Sequence, residues 1–266
     1  MKSEYIFANT QFESELTRLQ MIEKIFDPAS RRQILATGIT SGWQCLEIGA
    51  GAGSMMRWLS EIVGTAGKVT AVDLDTRFIQ ATQLPNVEVI EADINQVNFV
   101  NSFDLIHIRN VLIHLKDPAV LTKIAKLLKP QGWLIIKEPD FSAARCISGT
   151  PHQQQSVEKV NQAICQMLIN QGKDYALGIK LPSLLQQLGF QHLQVENAVP
   201  IVEGNSNIAT MMKLSALHLA DTYIATGKAT QTDIQTYCQF AEEQTAWGIY
   251  LATVSVMAQK LTTEQS

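Results

Sequence analysis

Between Trp43 and Glu138 the chain repeats one unit: a short apolar run, a turn, then a segment with apolar residues at helical spacing. The strand candidates are WQCLEI (43–48), KVTAVD (68–73), NVEVIE (86–91), FDLIHI (103–108) and WLIIKE (133–138), with helical segments at 54–63, 75–82 and 117–129. Strands alternating with helices at this pitch predict an α/β fold with a doubly wound, mostly parallel sheet. In such a sheet a ligand sits beyond the carboxyl ends of the strands, close to the first strand–helix loop.

The flanks follow other rules. Residues 11–25 (FESELTRLQMIEKIF from Phe12) have amphipathic spacing, and Asp27 followed by Pro28 predicts the cap and first position of a second helix. After Asp140 the alternation stops. Helices are expected over 151–172, 181–190, 206–226 and 230–246, the last capped by Thr230 or Thr232. FQHLQVENAVPIVE (190–203) and ATVSVMAQK (252–260) read as two further strands that complete a seven-stranded sheet, with the intervening helices as a cover over its carboxyl edge.

The first loop reads CLEIGAGAGS (45–54). Alternating glycines between a strand and a helix let backbone N–H groups and a helix N-terminus approach a ligand closely. A dinucleotide fingerprint requires glycine at its first, third and sixth positions. Counted from Gly49 the sixth residue is Ser54, and counted from Gly51 it is Met56. Both fail. Glu47, just before the loop, would repel a pyrophosphate but can act, through water, on an ammonium group.

With these residues in place, the sequence resembles the class I S-adenosylmethionine-dependent methyltransferases. LEIGAGAG matches their acid–glycine loop (Glu47, Gly49, Ala50, Gly51, Gly53), VDLD (72–75) the acid ending the second strand, and EADI (91–94) the acid after the third. FDLIHIRNVLIHLKDP and LLKPQGWLIIKEPD match the fourth strand and the turn into the fifth, with Gln131 in place of the turn's first glycine. The flanks are similar to a small-molecule, natural-product subgroup through Glu15, Arg18 and Leu19, through His107 and Arg109, and through Gly178, Leu181 and Pro182.

The resemblance implies a Rossmann-like sheet and S-adenosyl-L-methionine as cofactor. Asp73 would bind the ribose hydroxyls and Asp93 the adenine amino group, with Leu74 and Ile94 beside them. Arg109 and Arg18 are candidates for the cofactor's carboxylate or a substrate anion. The whole chain, 1–266, is expected to be one domain: N-terminal helices over 1–40, the cofactor core over 41–140, and cover helices with the final strands over 141–266.

Methyl transfer from a sulfonium depends mostly on alignment, and a base helps only for a hydroxyl acceptor. His114 and Glu138 are the candidate acid–base pair, with packing and loop bonding as the competing reading of His114. His107 is expected to be a core histidine, and Met211 and Met212 to pack in the cover. No residues have metal-site spacing.

Hydrophobic residues make up 46% of the chain and the net charge is −4, with no basic stripe, which argues against a nucleic-acid partner. The cysteines Cys45, Cys146, Cys165 and Cys238 form no CxxC pair and suit buried thiols in a reducing compartment. MKSEYIFANT lacks an apolar signal region and no long apolar run follows, so a cytoplasmic protein without a membrane partner is expected. The expected activity is methyl transfer, to oxygen before nitrogen or carbon, on a small molecule or short peptide. The alternative is a regulatory protein that binds the cofactor without turnover. The oligomeric state is not legible.

Overall fold

The computed structural model describes residues 12–99, 102–117 and 119–261. The polar N-terminal stretch, residue 11 of the first expected helix and Pro118 of the 117–129 segment lie outside them. Five parallel strands, β1 (Gln44–Ile48), β2 (Lys68–Asp73), β3 (Val87–Glu91), β4 (Phe103–Arg109) and β5 (Leu128–Asp140), form most of one sheet. Two later strands, β7 (Gln191–Ala198) and β10 (Ala252–Gln259), complete it in the order β3-β2-β1-β4-β5-β10-β7, and β10 runs antiparallel to both its neighbours. The seven-stranded, mostly parallel sheet expected from the sequence is present.

Side chains alternate across the sheet with period two. Cys45, Val69, Leu105, Ile135 and Met257 face one side, packed with Ile34 of α1 (Phe12–Ala36) and with Met55, Met56 and Leu59 of α2 (Ser54–Val63). Leu46, Ile48, Ile106, Ile108, Leu134, Ile136, Val254 and Val256 face the other, against α3 (Val120–Leu127) and α5 (Leu177–Gln187). Both faces are covered, which is why the central strands read as near-continuous apolar runs.

A third apolar cluster builds the cover. It joins α4 (Pro151–Asn170), α6 (Asn207–His218), α7 (Ala220–Ala225) and α8 (Gln231–Glu242), and it includes Phe26 of α1 and Ile113 beyond β4. Thr150 and Thr230 each form a reciprocal capping box, with Gln153 and Asp233. A small antiparallel sheet, β6 (Arg145–Ser148), β9 (Trp247–Ile249) and β8 (Val202–Glu203), ties the connections together.

Several expectations are corrected. Residues 75–82 form turns rather than a helix. The expected strand 190–203 divides, its last two residues joining the small sheet, which the sequence did not announce. The expected helix 206–226 breaks at Leu219 into α6 and α7, and α8 ends at Glu242. The helix expected from Leu181 begins at Leu177 and carries Pro182 inside it.

The largest correction concerns α1, which is one helix with Pro28 in its interior. An internal proline removes a hydrogen bond and costs about 3 kcal/mol in an isolated helix. Here the helix is held by a stripe of polar residues aimed at the sheet. Asp27 Oδ1 accepts from Arg109 of β4 at 2.8 Å, Ser30 Oγ lies 3.3 Å from His107 Nε2, and Gln33 Oε1 accepts from Ser255 Oγ at 2.7 Å. These positions, three residues apart, share one helix face.

Candidate active site

The glycine loop leaves β1 with a left-handed backbone at Gly49, Gly51 and Gly53 (φ 77°, 55° and 89°). A Cβ on Gly49 would stand 2.1 Å from the Val111 side chain, so only glycine lets the loop close against the exit of β4. A Cβ on Gly51 would meet nothing nearer than Leu19 at 3.5 Å, which marks an open cleft beside it. Asp73, at the end of β2, ties the loop in place: Gly51 N–H donates to Oδ2 at 2.8 Å and Asp75 N–H to Oδ1 at 3.0 Å. Burial pushes the Asp73 carboxyl up, and those N–H groups pull it back.

The cleft runs over the carboxyl ends of β1, β2 and β4. Gly49, Ala50, Gly51, Asp73, Leu74, Asp93, Ile94, Arg109, Arg18 and His114 all line it. Asp93 accepts from Asn95 N–H through Oδ1 at 2.8 Å, capping the short turn at Ile94–Gln96. Gly53 does not line the cleft. It sits at the start of α2, where a Cβ would meet Ile79 at 2.7 Å. Glu47 is also outside: it is 2% exposed, and its Oε2 lies 2.8 Å from Nδ1 of His107, which is wholly buried. Its carboxylate serves the core beneath α1 rather than the ligand space.

A second cavity adjoins the first beneath the cover. Its walls are Ile22, Phe26, Ile113, Phe141, Ile164, Met167, Leu168, Met211, Met212, Leu219 and Leu251, with Arg18, Asn110, His114, Ser215 and the phenol of Tyr223 as its polar members. Arg18, Ile22, Asn110 and His114 line both cavities. Met211 and Met212, expected in the cover core, pack there and also face this space.

The candidate acid–base pair separates. His114 stands on the shared wall, where burial first, then the charges of Lys173 and Arg18, pull its pKa down to about 3. Glu138 lines neither cavity. Its Oε1 accepts from Val111 and Leu112 N–H at 2.9 Å each, and its Oε2 from Ile113 N–H at 3.1 Å. Burial pushes its carboxyl up to about 7 against those donors. It holds the turn that carries His114 and does not reach a ligand.

Both candidate arginines are engaged with α1. Arg18 and Glu15 form a buried bidentate pair at 2.8 Å, and Arg109 donates to Asp27. α1 is also pinned to the loop: Glu23 Oε1 accepts from Ser54 N–H at 2.9 Å, and Ser54 Oγ donates to Asp27 Oδ1 at 3.1 Å. Sequence reasoning missed Glu23 and Ile22 in the cleft lining, and above all Asn110. Asn110 is left-handed (φ 55°) where β4 ends, and an Asn between a strand and a turn is the available signal for such a position.

The residues present fit an adenosyl ligand. The glycine loop, the carboxylates of Asp73 and Asp93 and several apolar side chains line one cleft at the sheet's carboxyl edge, the place where the fold binds its ligands. The fold is that of the class I S-adenosylmethionine-dependent methyltransferases. Residues 46–136 match the family described as Methyltransferase domain.

Among curated proteins, the methyltransferase str2 of Strobilurus tenacellus is 39% identical over 106 residues, 37% of this chain and 36% of that protein. The ubiquinone/menaquinone biosynthesis C-methyltransferase UbiE of Hahella chejuensis is 30% identical over 112 residues, 38% of this chain and 45% of that protein. The matched stretches thus span less than half of either relative. Among solved structures, a Haemonchus contortus phosphoethanolamine N-methyltransferase superposes with a TM-score of 0.59 at 19% identity, over 98% of this chain and 61% of that one. The [4+2]-cyclase SpnF superposes with a TM-score of 0.52 at 17% identity, over 88% and 81%. The fold therefore extends well beyond the matched segment. It also carries more than one chemistry. Among the described residues no helix is long and apolar enough to cross a membrane.

Proposed function

We propose that the chain is an S-adenosylmethionine-dependent methyltransferase acting on a small molecule, with oxygen favoured over nitrogen or carbon as the accepting atom. The observation that carries this reading is the shared wall: a cofactor-type cleft and a cover cavity meet at Arg18, Ile22, Asn110 and His114. Asp73 would hold the ribose diol, Asp93 the adenine amino group, and Leu74 and Ile94 the flanks of the ring. When bound, the cofactor supplies an electrophilic methyl group on a sulfonium. The protein's part is alignment and exclusion of water, through α1 above the loop and the cover helices beyond the wall. No carboxylate lines the cover cavity among the described residues, so a charged ammonium there would lack a countercharge, which favours oxygen over an ammonium nitrogen.

Calorimetry with S-adenosylhomocysteine and NAD tests the cofactor, and a screen of small acids, phenols and amines with methyl-labelled cofactor tests the transfer. Binding of S-adenosylhomocysteine but not NAD is expected. NAD binding without S-adenosylhomocysteine binding would end this reading.

A further inference from the structure

The cover cavity also says what kind of molecule it takes. Its walls are mostly aliphatic, aromatic and thioether side chains; Arg18, Asn110 and His114 lie at the wall shared with the cleft, and Ser215 and Tyr223 lie away from it. A sugar, a phosphate ester or an amino acid would leave several polar groups against those apolar walls without partners, at about 1–3 kcal/mol each. The molecule that fits is apolar along its body and polar at one end.

Among the described residues, the charged side chain that lines the cover cavity is the cation Arg18. The two charged groups that act on His114 are Lys173 and Arg18, both cations. Arg18 is paired with Glu15, but Glu15 lines the cleft and not the cover cavity. An imidazole held to about 3 stays neutral and is too weak a base to take a proton from an alcohol. Asn110, held left-handed at the junction of the cavities, makes no side-chain hydrogen bond among the described residues. Its amide is therefore available to a ligand.

We propose that the acceptor is an apolar molecule with a single acidic oxygen group, a carboxylate or a comparably acidic enol or phenol, which enters as its anion and is positioned by Asn110 at the wall between Arg18 and His114. In the transfer an oxygen lone pair forms the O–CH3 bond while the C–S bond breaks with its electron pair to sulfur. No proton moves, so no base is required. Opposite charges are neutralised as the bond forms, and a dry apolar cavity, which solvates separated charges poorly, assists that change.

This inference rests on the methyltransferase reading, and the test keeps the two apart. Protein saturated with S-adenosylhomocysteine is titrated at neutral pH with phenylbutyrate, phenylbutanol and phenylbutylamine, which share one apolar body. The acid is expected to bind about tenfold or more tightly than the alcohol, and the amine to give no measurable heat. Asn110→Asp, which keeps a residue tolerant of the left-handed backbone, is expected to weaken the acid about tenfold or more. Asn110→Gly, which keeps the backbone and removes the amide, should weaken it in the same direction. Met212→Trp, which fills the cover cavity, should abolish acid binding while S-adenosylhomocysteine still binds. The proposal is overturned if the alcohol binds as well as the acid, if the amine is preferred, if the acid does not bind, or if Met212→Trp leaves acid binding intact. Failure of S-adenosylhomocysteine to bind at all would instead overturn the methyltransferase reading.

Discussion

The carboxylate of Asp73 lines the cleft and also accepts from the Gly51 and Asp75 N–H groups, so its removal acts on binding and on stability together. Asp73→Ala is expected to weaken S-adenosylhomocysteine roughly ten- to a few-hundredfold and to lower unfolding stability by about 1–3 kcal/mol. Calorimetry and denaturant unfolding read the two effects; unchanged affinity in a destabilised variant would make Asp73 a structural residue only. His114 offers a pH test. Its folded pKa, about 3, lies below the unfolded value of about 6.5, so the folded state resists its protonation. Its contribution to stability is whole above about pH 6.5 and is lost as pH falls toward 3. His114→Gln should therefore lose less stability than the parent between pH 7 and about pH 4, measured by urea unfolding at each pH. Equal losses would mean that His114 titrates normally. At this scale the sequence identified residue types well and directions poorly. Asp73, Asp93, Arg18 and His114 reach the cleft, whereas Glu47 and Glu138 turn to His107 and to the Val111–Ile113 backbone.

At the scale of elements, α1 is the case to test. In sequence its Asp-Pro pair looks like a helix start. The structure reverses that reading, and Arg109, His107 and Ser255 supply buried partners for the stripe of Asp27, Ser30 and Gln33. Asp27→Ala would leave the Arg109 guanidinium, 9% exposed, without this carboxylate, and breaking a pair so buried costs about 3 kcal/mol or more. The expected result is faster amide exchange along α1 and weaker S-adenosylhomocysteine binding, since the same carboxylate holds Ser54 at the start of α2. Unchanged exchange in α1 would show that its apolar contacts alone hold it. Elements buried by period alone, β2 and α2 among them, have the bounds that their patterns predict.

For the whole molecule, the cover and the sheet share residues. Phe26 of α1 and Ile113 beyond β4 belong to the cover's apolar cluster, while Ile34 of the same α1 belongs to a sheet cluster. A chain so interlocked is expected to unfold in one cooperative transition, with calorimetric and van't Hoff enthalpies in agreement. S-adenosylhomocysteine should shift that single transition upward as a unit. Two resolved transitions, only one of them moved by the ligand, would mean that the residues after 140 form a separate unit.

The sequence by itself determined the sheet, the glycine loop and the acids that follow β2 and β3, because these depend on local periodicity and on backbone conformations that few residues adopt. Strand spacing, the left-handed turns at Gly49, Gly51 and Gly53, and an acid at a strand end are all written within a few neighbouring positions. Only the tertiary structure decided that α1 runs through Pro28, that Glu138 holds a turn and that Asn110 stands where two cavities meet. It also decided that the cover cavity is mostly apolar, with Arg18 on the wall it shares with the cleft. Each of these depends on partners far apart in the chain, such as Asp27 with Arg109 or Lys173 with His114, and burial sets their energies. No run of neighbouring residues records which distant group will desolvate a side chain or answer its charge.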